Sequence, residues 1–302
     1  MTRSSAVHVP VLLREVIAQL DLRAGLTVVD GTVGAGGHSR EILPRIQPGG
    51  LLIGLDRDLF MLDHAAQRVS GAGVQLIPSS YRDLRTVLDQ LGLSTVDRIL
   101  LDLGLSSDQL ADRTRGFGFD AGGQLDMRFD VSNGTSAADW LANASQDELV
   151  QVFETWGESP QARLLAAAIV RRRGSDPVTT AEALLQLIQE VCGVRNPAQL
   201  RSQAAPIFQA LRIAVNDELN HLETFLNVTL PGCLSPGGRV GIITFHSTED
   251  RLVKQVFRHD QGWETVTRKP IEPTPAEVRI NPRSRSAKLR VAVRSTDFAD
   301  RK

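Results

Sequence analysis

Short apolar runs recur early in the chain at Leu26–Asp30, Leu51–Asp56, Val74–Pro78 and Arg98–Asp102, and three of the four end in an acid. Between them, apolar residues fall at helical spacing over Ser39–Ile46, Leu59–Val69 and Leu84–Leu91. Short apolar strands alternating with helices predict a parallel sheet covered on both faces. Pro48-Gly49-Gly50 marks one helix-to-strand joint.

After Leu103 the rhythm changes to a glycine-rich link (Gly116, Gly118, Gly122, Gly123), then to a nearly all-helical stretch reaching about Leu226. Ser145-Gln-Asp-Glu148 and Thr179-Thr-Ala-Glu182 both fit a capping box. Ser159-Pro160 reads as a cap followed by a first-turn proline, and Gly174 and Gly193 read as helix ends. The stripe Leu184, Leu185, Leu187, Ile188 and Val191 is core packing. Strand pattern resumes after Ser235-Pro-Gly-Gly238 with Arg239–Phe245, and Ala287–Val293 is a last candidate. The expectation is an α/β, Rossmann-like sheet with an inserted, mostly helical domain. The sheet domain would comprise residues 1–110 and 216–302, and the insert 111–215.

Candidate chemistry gathers at the strand ends. In Asp30-Gly-Thr-Val-Gly-Ala-Gly-Gly-His-Ser39, Gly34, Gly36 and Gly37 allow close backbone approach to a ligand and positive φ. Asp56 closes the next strand, twenty residues beyond Gly36, where a carboxylate can accept both hydroxyls of a ribose. Dinucleotide enzymes share this layout. The glycine spacing is not GxGxxG, however, and Asp30 would repel a pyrophosphate while suiting a ligand that carries an ammonium and a sulfonium. The loop therefore leans towards a methyl donor and leaves a nicotinamide cofactor open. Asp102 ends a third strand on the same edge, beside the turn Leu103–Ser107.

Composition narrows the classes. The 302 residues are 42% hydrophobic and 23% charged, with 34 Lys+Arg against 35 Asp+Glu, so a nucleic-acid partner has to be argued from a local patch. One such patch spans 277–294, where Arg279, Arg283, Arg285, Lys288, Arg290 and Arg294 face Glu277 alone. A second candidate is the link itself. Arg113, Arg115 and Arg128 could clamp phosphate and Phe117 could stack a base, or the aromatics could simply pin the link to the core. His246 reads as structural. No His/Cys spacing suggests a metal, and Cys192 and Cys233 read as reduced apolar fillers. Lacking a leader pattern or an apolar run long enough to span a bilayer, the chain is expected to be cytoplasmic, without membrane partners.

Several segments together resemble one family. They are His8-Val-Pro-Val-Leu-Leu-Arg-Glu15, Asp30–Ser39, Leu101-Asp-Leu-Gly-Leu-Ser-Ser-Asp-Gln109, Arg115-Gly-Phe-Gly-Phe119 and Leu125-Asp-Met-Arg128. Further along, Phe208-Gln-Ala-Leu-Arg-Ile213, Phe245-His-Ser-Thr-Glu-Asp-Arg251 and Asn281–Arg290 follow in order. The set is similar to the ribosomal RNA small subunit methyltransferase H family. That resemblance implies S-adenosylmethionine-dependent methylation of N4 of a cytidine in the decoding centre of bacterial 16S rRNA, with rRNA, within the small ribosomal subunit, as partner. It implies cofactor contacts at Gly36, Gly37, His38, Asp56, Tyr81, Asp102 and Gln109. Tyr81 stands where the family pattern has Phe, and Ser202–Ile207, Gly118, Gln124 and Thr248 also depart from it. Asp102 and Ser106 are the candidates for accepting hydrogen bonds from the cytosine amine. A nicotinamide-dependent oxidoreductase and a non-catalytic RNA-binding module are the rival readings; monomer and homodimer are both compatible with the sequence.

Overall fold

The computed structural model describes residues 10–119 and 123–296. His8 and Val9 of the first motif and Gly122 of the link lie outside the described residues. The chain divides into two compact units, with breaks after Gly104 and after Leu219.

The first unit is built on strands β1 (Thr27–Asp30), β2 (Leu51–Asp56), β3 (Val74–Pro78), β4 (Val96–Asp102), β5 (Leu234–Thr244), β6 (Trp263–Thr265) and β7 (Lys288–Arg294). The sheet order is β3-β2-β1-β4-β5-β7-β6. Strands β1 to β5 run parallel, β7 pairs antiparallel with β5, and β6 pairs antiparallel with β7. Alternate side chains point to opposite faces, so each inner strand feeds two cores. Val28, Leu52, Leu100 and Ile243 pack on one face with Val16 and Leu20 of α1 (Leu13–Leu20) and Ile42 and Ile46 of α2 (Gly37–Ile46). Val29, Ile53, Leu101 and Ile242 pack on the other. Helices α3 (Leu59–Arg68) and α4 (Leu84–Gln90) complete the first half of the unit.

The second unit contains α5 (Ser107–Ala111), α6 (Ala137–Asn143), α7 (Gln146–Thr155), α8 (Ala162–Arg172), α9 (Ala181–Cys192) and α10 (Pro197–Asn216). Its core holds Phe153, Leu165, Ile169, Leu184, Ile188 and Phe208. The chain then passes through α11 (Glu218–Thr224), a π-helical turn at Phe225–Thr229 and α12 (Leu230–Cys233), and later forms α13 (Ser247–His259) and α14 (Pro275–Ile280).

Five local expectations are corrected. The cap of α9 is Thr180, whose hydroxyl accepts from the Ala183 amide, so Thr179 and Glu182 form no capping box. Ser159-Pro160 forms a turn and α8 starts at Ala162; α8 ends at Arg172 and Gly174 does not take positive φ, whereas Gly193 ends α9 at φ 64 as expected. Strand β5 begins at Leu234 rather than Arg239. Leu103–Ser107 leads into a capped helix: Ser106 accepts from the Gln109 amide while Gln109 Oε1 accepts from the Ser106 amide.

Candidate active site

The chain enters β1, runs outward through β2 and β3, and returns to β4 on the other side of β1. That reversal opens a crevice at the carboxyl ends of β1 and β4, the place where open α/β sheets take ligands. Asp30, Asp56 and Asp102 end the three strands there.

The turn after β1 is fixed by backbone bonds. The Gly31 amide donates to Leu100 O at 2.9 Å and the Gly36 amide to Val33 O at 2.8 Å. Gly34 has φ +51, and an added Cβ would meet only Thr32 O, at 3.9 Å; its amide donates to Asp56 Oδ2 at 2.9 Å. Gly36, at φ +81, caps α2, and a Cβ there would lie 2.8 Å from Val69 Cγ2. One glycine therefore leaves room beside the turn, and the other lets the turn pack against its own protein.

Around this turn the acids are largely withdrawn from water, Asp30 most of all. Asp30 is buried, and its Oδ2 accepts from Ser39 Oγ at 2.7 Å. Burial pushes it up to about 6, against hydrogen bonds from Ser39 and the Thr32 backbone that pull it down. Asp56 is pushed up to about 6 by burial as well, although its oxygens accept the Asp58 and Gly34 amides. Asp102 stands well above the ordinary carboxylate range because of burial, with the charges of Asp30 and Glu249 adding to it. Its amide donates to Thr32 Oγ1 at 2.6 Å and its Oδ2 lies 3.6 Å from His38 Nδ1. Its Oδ1 is buried with no hydrogen-bond partner among the described residues.

Tyr81 opens a short 3₁₀ turn after β3. Its ring meets Phe225 edge to face at 5.4 Å, and a Cβ added to Gly31 would lie 3.0 Å from its own Cβ, which places Tyr81 beside the end of β1. Ser80 Oγ lies 3.0 Å from His221 Nδ1, and Thr229 Oγ1 donates to Arg82 O at 2.7 Å, so the segment holding the π turn supports this platform.

The sequence profile of the MraW methylase family matches residues 5–295. This chain belongs to the MraW methylase family. The methylase is 43% identical to the ribosomal RNA small subunit methyltransferase H of Carboxydothermus hydrogenoformans, over 94% of this chain and 97% of that one. It is 43% identical to the protein of that name from Dictyoglomus thermophilum, over 97% and 99% of the two chains. Among solved structures, a putative rRNA-methylase from Clostridium thermocellum is 11% identical, with TM-score 0.43 over 95% of this chain and all of that one.

The donor set of this methylase fits S-adenosylmethionine. Buried Asp30 and half-buried Asp56 and Asp102 present acceptors and negative charge, and Asp102 Oδ1, unpartnered among the described residues, can take a further donor. Ribose hydroxyls and an ammonium are donors; a pyrophosphate is neither a donor nor a cation, and would meet uncompensated repulsion here. The fit therefore weighs against the nicotinamide alternative.

The remaining candidates fall in different places. Ser106 and Gln109 belong to the second unit, where they form the capping box of α5. For three residues of the link, the geometry supports the internal role rather than the RNA clamp. Phe117 is buried and stacks on Phe129 at 5.9 Å; Arg115 donates to the carbonyls of Arg128 and Phe129; Arg128 pairs with Asp126 at 2.8 Å. A base cannot stack on a ring already covered, and a paired guanidinium has less field to offer a phosphate. Arg113 is exposed. In the C-terminal patch Arg283 and Arg285 are exposed, whereas Lys288 is half-buried, 3.9 Å from Asp250, and Arg290 is buried against the same acid. Arg294 donates to Leu234 O. His246 caps α13, with Nε2 3.0 Å from Glu249 Oε1.

Sequence reasoning missed Glu249, which is buried and accepts from the Phe245 amide at 2.8 Å. The spacing His246-x-x-Glu249 carried the signal, a histidine version of the capping box. Among the described residues no His, Cys, Asp or Glu group could hold a metal, and no helix is long and apolar enough to cross a membrane.

Proposed function

We propose that this methylase transfers the methyl group of S-adenosylmethionine to N4 of a cytidine in the decoding centre of 16S rRNA, acting on the small ribosomal subunit. The carrying observation is the set of strand-end carboxylates beside the glycine turn, with Asp102 Oδ1 buried and unpartnered among the described residues. Gly36, Gly37, His38 and Asp56 would hold the cofactor, with Tyr81 as the flat surface for its adenine; from the second unit, Gln109 and Ser106 are the sequence-implied contributors. Arg113, Arg283 and Arg285 would meet phosphate.

The cofactor supplies an activated methyl group. The chain's own task is alignment, which can contribute roughly 7–11 kcal/mol. A cytosine amine shares its lone pair with the ring, so an acceptor at Asp102 that takes an N–H frees part of that pair for attack. A paired base is out of reach, so the cytidine has to be unpaired or turned out of its helix.

Tritiated methyl transfer to unmodified small subunits, followed by nucleoside mapping, tests this reading. Label on N4-methylcytidine of the small-subunit rRNA is expected. Label on protein or DNA with none on rRNA overturns the substrate, and calorimetric binding of NAD in preference to S-adenosylhomocysteine overturns the cofactor.

Affinity for the cation should also follow pH. Asp30 and Asp56 titrate at about 6, so they are neutral below that value and ionised above it. S-adenosylmethionine is therefore expected to bind about tenfold more tightly at pH 7.5 than at pH 5, read by calorimetry at constant ionic strength. A flat profile would remove these two acids from the cofactor's surroundings.

A further inference from the structure

The tautomer of His38 can be read from its surroundings. Nε2 lies 3.0 Å from Val11 O, and a carbonyl can only accept, so Nε2 carries the hydrogen. Nδ1 faces Asp102 Oδ2, 3.6 Å away, and in the neutral form of this tautomer it is the ring's proton acceptor. That is a few tenths of an ångström beyond hydrogen-bond length, as is common before a substrate closes a site. The Val11 carbonyl is held in place from its far side. The neighbouring Leu12 amide, at φ 54, donates to Glu277 Oε1 at 2.7 Å, and Pro10 lies so close to Gly37 that a Cβ there would be 2.7 Å from its Cγ. Two acids on other elements face Asp102: Asp30 at the end of β1 and Glu249 in α13. Asp30 acts in turn on Asp56 at the end of β2.

We propose that His38 and Asp102 form a proton relay in which Asp102 takes the proton released by the methylated amine and His38 receives the one that Asp102 gives up. The relay rests on the methyl-transfer reading above. At rest one proton lies between Asp102 Oδ2 and His38 Nδ1, and Oδ1 accepts an N–H of the cytosine amine. When the amine nitrogen bonds to the methyl carbon, the carbon–sulfur bond breaks, its electron pair leaves with sulfur, and the nitrogen becomes cationic. Its N–H bond then breaks towards Asp102 Oδ1, the electron pair staying on nitrogen. The proton on Oδ2 passes to Nδ1. One positive charge enters the site on the donor and one remains on the imidazolium afterwards, so the acids around the turn face the same net charge throughout. His38 thereby acts through Asp102, as a positioning and proton-holding residue.

His38→Asn separates this relay from a purely structural role. An amide can hydrogen-bond Asp102 but cannot accept its proton. At S-adenosylmethionine concentrations that saturate the site at every pH, so that the titration of Asp30 and Asp56 does not enter, single-turnover methylation by the unaltered chain is expected to fall at low pH as Nδ1 of His38 is occupied by a proton beforehand. In His38→Asn the high-pH rate should drop about 10²-fold and the acid limb should disappear. A reduced rate with the limb unchanged overturns the relay. A second readout needs no substrate: nitrogen-15 NMR of the histidines in the unaltered chain and in Asp102→Asn. Hydrogen on Nε2 of His38 is expected, with an Nδ1 titration that shifts when Asp102 is changed; hydrogen on Nδ1, or an unshifted titration, overturns the proposal even where His38→Asn does not fold. If small-subunit rRNA proves not to be the substrate, the NMR measurement still decides the pair, so the two failures are distinguishable.

Discussion

Asp102→Ala is expected to lower methyl transfer about 10²–10³-fold, with affinity for S-adenosylhomocysteine reduced no more than about tenfold. The expectation follows from the side chain's position. Oδ1 is buried and unpartnered among the described residues, and the Asp102 amide, which anchors Thr32, survives the substitution. Removing the acceptor leaves the cytosine amine conjugated with its ring at the moment it must attack. A loss of fold would be the trivial explanation, and electrostatics argues against it. Burial and the charges of Asp30 and Glu249 oppose the ionisation of Asp102, so deleting it removes no strong ion pair and the unfolding temperature should hold. Asp102→Asn keeps a carbonyl acceptor for the amine but cannot take up its proton, so it should hold the substrate and recover little of the rate. Full turnover by Asp102→Ala, with unchanged cofactor affinity, would end this assignment.

The largest effect on stability is expected from Asp250→Ala. Arg290 lies in β7 with 6% exposure, and its guanidinium is bidentate on Asp250 at 2.7 and 3.0 Å. Taking away the acid leaves a buried cation unpaired, a defect of about 3–5 kcal/mol. Replacing both residues with apolar ones of similar size should restore most of the loss, since desolvation is then no longer demanded of either charge. A chain of two compact units need not unfold in one step, so the measurement is hydrogen exchange at the β5 and β7 amides of Ile242 and Val291. Exchange unchanged within a factor of about five, or roughly 1 kcal/mol, would show that the pair contributes nothing. The same geometry removes Arg290 from the RNA-facing part of the basic segment and leaves the exposed Arg283 and Arg285.

The link shows how far sequence spacing carries a functional reading. Arg115, Phe117 and Arg128 have the composition of an RNA clamp and the composition of an internal tie. The structure spends them on Arg128 O, Phe129 O, the Phe129 ring and Asp126. Composition cannot separate the two because both need cations and flat rings; what differs is whether a partner inside the protein reaches them first. Ser106 is a parallel case. In sequence its hydroxyl is a candidate acceptor at the end of the turn Leu103–Ser107; in the structure it is engaged with the Gln109 amide at a helix start.

By itself the sequence determined the strands β1 to β4, the glycine turn and the three acids at strand ends, because each is written in local periodicity and in residues with special backbone freedom. It also carried the family, through motifs spread along nearly the whole chain. Tertiary structure decided what those acids are. Burial, not identity, raises Asp30 and Asp56 to about 6, and the charges of Asp30 and Glu249, brought in by β1 and α13, add to the burial of Asp102. It likewise decided the tautomer of His38, set by the carbonyl of Val11, 27 residues earlier in the chain. The π turn under Tyr81 and the addition of β6 were equally hidden, since both depend on segments returning from far along the chain. Periodicity is a local quantity; desolvation and proton placement are sums over whatever the fold brings near.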